Sequence, residues 1–293
     1  MQISLRSPLR PARSDVLTQH GLARSAGRPA VRLELAAPRR RQQKIRASQA
    51  GSSSTFNTTK APFNDARVRR AFCHAVDKDR VASQVLLNSV DAACGIVPPG
   101  MMGYDAGFDG LVYDVDTAKA LLAEAGYGPG GNLLKVVVTL PGSSGEMAAY
   151  LTAVLYQWQE NLGAEVEVRQ LDGDAYFDRL DEEKDDVFFY GWSADYPDPQ
   201  DFLDVLFRNG SVNNVGGYDD ATYVALLDQA AVEPNESVRA ALYRQAEVKL
   251  ITEDAACLPL WFGKSYILIK PEVKGYVISP LGFPLLANVS VND

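Results

Sequence analysis

The residues best suited to chemistry lie together in the run YGWSADYPDP, residues 190–199. The run follows the apolar stretch DDVFF and precedes the amphipathic stretch PQDFLDVLF, so it is predicted to join the end of a strand to the start of a helix. Strand ends in α/β proteins commonly hold ligands. Three aromatic side chains, two carboxylates and two prolines predict a rigid, apolar-walled pocket that carries negative charge. Such a pocket favours the capture of a cation or an ammonium group.

The second carboxylate of the run is expected to have a structural role. Asp198 directly precedes Pro199, and proline is favoured at the first position of a helix because its missing N–H would be unpaired there. We therefore predict Asp198 as the helix N-cap, with its carboxylate accepting hydrogen bonds from the backbone amides near Gln200 and Asp201.

The first carboxylate, Asp195, has no comparable local role. It lies between Trp192 and Tyr196, and we predict these three residues as the ligand contacts. The alternative for Asp195 is that of a turn-stabilising residue whose side chain binds its own backbone.

Six blocks between Phe56 and Val277 follow one another in a characteristic order. They are FNTTKAPFNDARVRRAFCHAVDKDRV, IVPPGMMGY, YDVDTAKALLAEAGY, the run at 190–199 with FLDVLF, RAALYRQAEVKLITEDAACLPLW and IKPEVKGY. In these blocks the chain resembles family 5 of the bacterial solute-binding proteins, the extracytoplasmic receptors of peptide, nickel and related ABC importers. Each block alone is weak, but six in order make a specific signal.

The resemblance implies a function and two site residues. Asp195 matches a family aspartate that pairs with the α-ammonium group of a bound peptide, and Trp192 matches a tryptophan that lines the cleft. The implied protein is a monomeric substrate-binding component of an ABC transporter. It would capture peptides or similar small cationic solutes in the periplasm or outside the cell and present them to an ABC permease. No enzyme activity, cofactor or metal is implied.

Strands and helices alternate along the body of the chain, which predicts an α/β fold with parallel or mixed strand pairing. The resemblance narrows this to the distal lobe of a type II periplasmic-binding-protein fold with a partial return to the first lobe. The elements on which this prediction depends are a strand at 133–140, a helix with an apolar stripe from Met147 to Leu162 closed by Gly163, a strand at 187–190, a helix with Val238, Leu242, Ala246 and Leu250 on one face, and strands at 258–262, 266–269 and 273–278.

Three regions are expected. Residues 1–55 carry 11 Lys and Arg against 2 Asp and Glu, lack the apolar run of a secretory signal and contain nothing that resembles the family. We predict a disordered basic leader, interpreted as adventitious, although its composition also resembles an organellar transit peptide and PRRRQQKIR could contact nucleic acid. Residues 56–256 are the predicted distal lobe.

Residues 257–293 are predicted to be strands that return to a first lobe. Family members have two lobes and are much longer, and that first lobe is expected to be largely missing from this chain. Half of the cleft would then be absent, and Asp195 and Trp192 would lie on an open surface. Tight binding by this chain alone is therefore not expected.

The charge of the body excludes some functions. Beyond residue 55 the chain holds 18 basic and 35 acidic residues, within an overall net charge of −8. An acidic body disfavours nucleic acid and anionic membranes as partners. No apolar run is long enough to span a bilayer.

Catalytic and metal-binding alternatives find little support in the sequence. The cysteines, Cys73, Cys94 and Cys257, have no CxxC spacing, and the histidines are His20 and His74 alone. Neither a zinc site nor a Ser/His/Asp arrangement is indicated, and His74 is expected in a core or surface role. A hydrolase that uses Asp195 and Asp198 is the best enzyme alternative, and a fragment without function is the third hypothesis.

Overall fold

A six-stranded sheet forms the centre of the structure. The computed structural model describes residues 42–128, 131–142, 147–181, 184–279 and 281–292. The strands lie in the order β2-β6-β1-β5-β3-β4. Their bounds are β1 Gln42–Phe56, β2 Val90–Ala92, β3 Lys135–Pro141, β4 Glu165–Leu171, β5 Val187–Ser193 and β6 Cys257–Ile269.

Eight α-helices are described in the same ranges. They are α1 Ala66–His74, α2 Lys78–Arg80, α3 Val115–Glu124, α4 Ala149–Leu162, α5 Gly173–Asp181, α6 Gln200–Phe207, α7 Ala221–Val232 and α8 Glu236–Val248. Five-residue π-helical turns, Val81–Val85 and Lys249–Glu253, follow α2 and α8. Two short antiparallel pairs close the chain, β7 Val273–Lys274 with β10 Ser290–Val291 and β8 Val277–Ile278 with β9 Pro284–Leu285.

The sheet is mixed, as the alternation of strands and helices predicts. Strand β3 is parallel to β4 and β5, and the helices α4 and α5 supply the crossovers that parallel neighbours require. Strand β1 is antiparallel to both β5 and β6. Short β2 pairs with β6 at one edge, and β4 forms the other edge.

The predicted disordered leader is wrong for residues 42–55. These residues form most of β1, which lies inside the sheet between two antiparallel partners. The segment from Gln49 to Thr55 is rich in Ser and Gly, so composition does not signal a strand. Pairing of the backbone on both sides satisfies its N–H and C=O groups and compensates for the small side chains. Residues 1–41 lie outside the described ranges.

The predicted strands that follow residue 256 are also corrected. The expected strands at 258–262 and 266–269 are one continuous strand, β6, which pairs with β1 along most of its length. Residues 257–269 therefore belong to the same sheet as β5. The return of residues 257–293 to a first lobe stays a prediction.

Helix α4 confirms its predicted stripe. Leu151, Val154, Trp158 and Leu162 are buried, and the indole N–H of Trp158 donates to the carbonyl of Phe72 at 3.0 Å. Gly163 ends the helix in the left-handed conformation, at φ +66°, a conformation that glycine adopts without a steric cost.

Helices α6, α7 and α8 build a second hydrophobic cluster, separate from the one around α4. The large buried side chains of this cluster are Phe202, Leu203, Phe207, Tyr223, Leu227, Tyr243 and Leu250. The predicted face of α8 is only partly correct, because Val238 is 47 % exposed while Tyr243 and Glu247 are buried. These three helices position the candidate sites.

Within the described ranges, no helix has both the length and the apolar character needed to cross a membrane.

Candidate functional site

The run at 190–199 begins inside a strand. Strand β5 continues to Ser193, three residues beyond the predicted end, so Trp192 lies on the strand and the turn spans residues 194–199. Trp192 lies opposite Gly51 of β1, and its ring stacks on Tyr190 with 6.1 Å between ring centroids. The tryptophan is therefore fixed by the sheet, whereas Asp195 and Tyr196 are on the turn.

A buried carboxylate that the sequence analysis did not select organises this turn. Asp201, in the first turn of α6, is 1 % exposed. Its Oδ2 accepts hydrogen bonds from the indole N–H of Trp192 at 3.2 Å and from the backbone N–H of Asp195 at 2.8 Å. One oxygen thus ties the end of the strand, the turn and the helix together.

The electrostatic state of Asp201 is unusual. Its second oxygen, Oδ1, is buried and has no hydrogen-bond partner among the described residues. Burial raises the pKa of this carboxyl, although the two hydrogen bonds to Oδ2 act in the opposite direction. In the sequence, Asp201 directly precedes Phe202 and Leu203, which lie on the buried apolar face of α6. This position is the one signal in the sequence that could have indicated its burial.

Asp195 presents its carboxylate to solvent. The residue is exposed, and no side-chain hydrogen bond or ion pair of Asp195 is found within the part of the chain that the structure describes. Its backbone is nevertheless anchored through the bond to Asp201. A carboxylate with a fixed backbone and no protein partner can accept from a bound cation.

Tyr196 is 38 % exposed and lies on the same turn. Its hydroxyl donates to Oε1 of Gln200, and burial of the ring raises the pKa of the phenol. The ring is therefore oriented toward the first turn of α6.

Asp198 makes the predicted contact with Gln200, whose backbone N–H donates to Oδ1 at 3.0 Å. The N-cap position itself is occupied by Pro199, because the hydrogen-bonded ladder of α6 begins with the bond from Leu203 N–H to the Pro199 carbonyl. The amide of Asp201 donates to the backbone carbonyl of Asp198 at 3.1 Å, and it does not bond to the carboxylate. The predicted cap is thus shifted by one residue.

The carboxylate of Asp198 also has an ionic partner. The Arg239 guanidinium donates to its two oxygens at 2.6 and 2.9 Å, in a bidentate arrangement. Arg239 also lies over the ring of Tyr243, 4.9 Å from the centroid. This pair connects the turn to α8 and occupies the second carboxylate of the run.

An apolar pocket lies beside the end of β5, and its space, including the open mouth, is about 310 Å³. Trp192 lines it together with Tyr190, Phe202, Trp261 and Phe262. Asp195 and Tyr196 are not among its lining residues. The structure thus brings the three predicted contacts to one strand end, with Trp192 facing the pocket and Asp195 on the adjoining turn.

The histidine and cysteine side chains in the described ranges do not form a second reactive cluster. Nδ1 of His74 lies 2.7 Å from the carbonyl of Val112, and the residue is 8 % exposed. The three cysteines are free thiols. Among the described residues, no group of three or more His, Cys, Asp or Glu side chains is arranged to hold a metal ion.

The sequence matches the family model of the bacterial extracellular solute-binding proteins, family 5 (middle), over residues 14–214. The chain belongs to that family. The match begins inside the segment 1–55, which corrects the expectation that this segment contains nothing of the family.

Curated relatives agree with this assignment. Heme-binding protein A of Haemophilus influenzae is 31% identical over 242 residues, which are 81% of this chain and 44% of that protein. The probable deoxycholate-binding periplasmic protein of Escherichia coli is 35% identical over 226 residues, 75% of this chain and 41% of the relative. The dipeptide-binding protein of E. coli is 27% identical over 81% of this chain and 45% of its own length. The chain thus spans less than half the length of these relatives.

Solved structures show the same fold. HbpA2 from Haemophilus parasuis superposes with a TM-score of 0.79 at 25% identity, covering 87% of this chain and 50% of that one. The E. coli murein tripeptide-binding protein MppA gives a TM-score of 0.71 at 29% identity, covering 83% and 47%. The fold is therefore the mixed α/β type II fold of periplasmic binding proteins, and the match covers about half of each of these chains.

Proposed function

We propose that this chain serves as a substrate-binding component of an ABC importer, capturing peptides or similar small cationic solutes outside the cytoplasmic membrane. Membership of the family supports the general role, because its members and structural neighbours are binding proteins. The names of the relatives cover dipeptides, heme and deoxycholate. The choice of a cationic ligand therefore depends on this chain's own residues. An ABC permease would be the membrane partner.

The observation that carries the proposal is the exposed carboxylate of Asp195 on an anchored backbone. The hydrogen bond to Asp201 fixes the position of the turn, while the carboxylate itself has no partner in the described ranges. The α-ammonium group of a peptide is a suitable partner for such a group. Trp192 at the pocket wall supplies an apolar surface for the adjoining part of the ligand.

The exposure of Asp195 limits the affinity that this contact can supply. An exposed ion pair contributes about 0 to 1 kcal/mol, whereas a hydrogen bond to a charged group in a closed cleft contributes about 1.5 to 3 kcal/mol. We therefore expect weak binding by this chain alone, with the ammonium contact contributing at most about a fivefold change in Kd.

Asp198 is not free to act as the second carboxylate that the hydrolase hypothesis requires. Asp198 is ion-paired with Arg239 and accepts from the Gln200 amide, so it has a structural role beside Asp195. A pair of carboxylates with distinct acid and base roles is not formed by these two residues. We therefore propose a binding role without turnover.

Calorimetric titration of the chain with short peptides tests the proposal. We expect weak binding of a tripeptide with a free amino terminus and weaker binding by Asp195→Asn, whose amide oxygen keeps the shape but lacks the charge. Asp219→Asn is the matched control, because Asp219 is also an exposed aspartate on a loop, before α7.

Equal affinity of the parent and Asp195→Asn for that tripeptide would contradict the role of Asp195. Cleavage of the peptide by the parent but not by Asp195→Asn would favour the hydrolase. Absence of binding by a folded parent chain would leave the hypothesis of a fragment without function.

A further inference from the structure

A second pocket is lined in part by the loop that follows β2. We call it the Glu247 pocket, and its space, including the open mouth, is about 350 Å³. The residues that matter for its chemistry are Glu247 of α8 and, on the loop and β6, Cys94, Tyr104, Asp105, Phe108 and Phe262. None of the predicted contacts of the turn at 194–199 lines it.

Glu247 is fixed in position by the loop. The residue is 4 % exposed, and its Oε1 accepts from the consecutive backbone amides of Ile96 at 2.7 Å and Val97 at 2.8 Å. A Cβ on Gly95 would overlap that same oxygen and crowd the ring of Phe108, so the close approach requires glycine. The arrangement is a small nest of amides around one carboxylate oxygen.

The other oxygen of Glu247 is available. Oε2 has no hydrogen-bond partner among the described residues, although the carboxyl is more than nine-tenths buried and lines the pocket. The nearby carboxylate of Asp105 adds negative charge, and Asp105 Oδ1 accepts only from the Gly107 amide, at 2.9 Å. No Lys, Arg or His of the described chain is ion-paired with either carboxylate.

A buried carboxylate that lacks a cationic partner is costly, and a bound cation would compensate for its charge. The residues that line the pocket indicate which kind of cation it favours. Tyr104, Phe108 and Phe262 are aromatic, and Tyr104 meets Phe262 edge to face at 6.5 Å. Aromatic faces favour organic ammonium ions through cation–π contacts. Metal ions prefer several oxygen, nitrogen or sulfur ligands, and no group of three or more His, Cys, Asp or Glu side chains among the described residues is arranged to hold one.

We propose that the Glu247 pocket is a binding site for a small organic ammonium ion. The cation contacts Oε2 of Glu247 from the pocket side, and the aromatic rings pack against its methyl or methylene groups. Asp105 contributes negative charge at the mouth. Lys78 donates to the Ala93 carbonyl at 2.8 Å and does not line the pocket.

This site is independent of the proposed role of Asp195. The two sites use different carboxylates on different helices and loops, although Gly95 and Phe262 line both pockets. The Glu247 site therefore stands or fails separately from peptide capture.

Cys94 provides a direct readout. It lines the pocket and is half-buried, whereas Cys73 and Cys257 are at most 1 % exposed. The rate of alkylation of Cys94 by iodoacetamide is measured with increasing tetramethylammonium chloride, with sodium chloride at the same ionic strength as reference. We expect tetramethylammonium to slow the reaction in a saturable manner.

Glu247→Gln is the decisive variant. The amide oxygen of glutamine can still accept from the Ile96 and Val97 amides, so the loop is kept while the charge is lost. The concentration that gives half-protection should rise about tenfold or more, as expected when a charge-assisted contact is removed. Asp109→Asn is the matched control, since Asp109 is an exposed aspartate of the same loop that does not line the pocket.

Asp105→Asn is a second variant that does not alter a buried group. It should raise the half-protecting concentration by about two- to fivefold. The proposal is overturned if tetramethylammonium protects no better than sodium. It is also overturned if both Glu247→Gln and Asp105→Asn are protected as well as the parent. Loss of protection in these variants, with Asp109→Asn unchanged, supports it.

Discussion

Two buried carboxylates, Asp201 and Glu247, have similar hydrogen bonds but differ in the surroundings of their second oxygen. Each lies on a helix of the second cluster, and each accepts two hydrogen bonds through one oxygen. Asp201 Oδ1 is buried and has no hydrogen-bond partner among the described residues, whereas the side chain of Glu247 lines an open pocket. The first carboxylate fixes the backbone of Asp195, the proposed ligand contact, whereas the second is itself the proposed contact of a cation.

Both carboxyl groups have a raised pKa, and burial is the first cause in each. Burial disfavours the charged form, and hydrogen bonds from N–H groups only partly offset this cost. The two groups differ because the pKa of Glu247 is raised to about 7, within the physiological range. Stability measurements can therefore separate the two groups.

The largest expected effect concerns Glu247 and pH. Its pKa is raised in the folded protein from 4.5 to about 7, so its contribution to stability is fully present below pH 4.5 and is lost as pH rises through about 7. Between these values the parent should lose about 3 kcal/mol of unfolding free energy relative to Glu247→Gln, whose side chain does not titrate. Urea denaturation of both proteins across this range measures the difference.

Parallel pH profiles of the two proteins would contradict this prediction. The groups whose charges act with Glu247 are on the neighbouring loop, α7 and β6, namely Asp105, Tyr104, Tyr223 and Cys257. Asp105→Asn should shift the profile only slightly, because Asp105 is exposed.

A smaller effect is expected at Asp201. Asp201→Ala leaves the Trp192 indole N–H and the Asp195 amide without their acceptor, and we expect the unfolding free energy to fall by about 2 kcal/mol. Asp201→Asn keeps an acceptor without the buried charge and should change stability by less than about 1 kcal/mol. Urea denaturation at neutral pH, with Asp219→Ala as control, distinguishes them. Equal losses in the Ala and Asn variants would show that the charge of Asp201, and not its acceptor oxygen, holds the turn.

The ion pair between Asp198 and Arg239 should contribute less. Both side chains are partly exposed, so water screens the interaction. Arg239→Gln should lower the unfolding free energy by about 1 kcal/mol, because it removes the bidentate contact and the stacking on Tyr243. Thermal denaturation at low and high salt checks this prediction. A loss that does not shrink at high salt would assign the effect to packing.

The smallest effect on stability is expected at Asp195. Its carboxylate has no partner in the described ranges, so Asp195→Asn should change the unfolding free energy by less than about 0.5 kcal/mol. Urea denaturation of the parent and the variant measures this. A loss of 1 kcal/mol or more would indicate that Asp195 stabilises the turn, which is the alternative that the sequence leaves open.

Much of the fold follows from local sequence patterns. The stripe of α4 and the left-handed Gly163 are predicted because periodicity and helix termination are local properties. Strand β1 is not predicted, because pairing with two distant strands stabilises it and its own side chains are small and polar. Non-local backbone pairing leaves little trace in composition.

The sites show the same limit. Asp195, Trp192 and Asp198 are predicted from their place near the junction of a strand and a helix, and the contact of Asp198 with Gln200 is as expected. Asp201 and Glu247 are missed because a carboxylate in an amphipathic helix ordinarily faces solvent. Only the packing of α6 and α8 places these two side chains inside.

The central claim is that the turn fixed by Asp201 presents the carboxylate of Asp195 to the ammonium group of a ligand. A double-mutant cycle tests it most directly, with a tripeptide and its N-acetylated form titrated into the parent and Asp195→Asn. We predict that acetylation weakens binding to the parent but has no effect on the variant, with a coupling energy of up to about 1 kcal/mol. A coupling energy of zero, with the parent binding both forms equally, would contradict the claim.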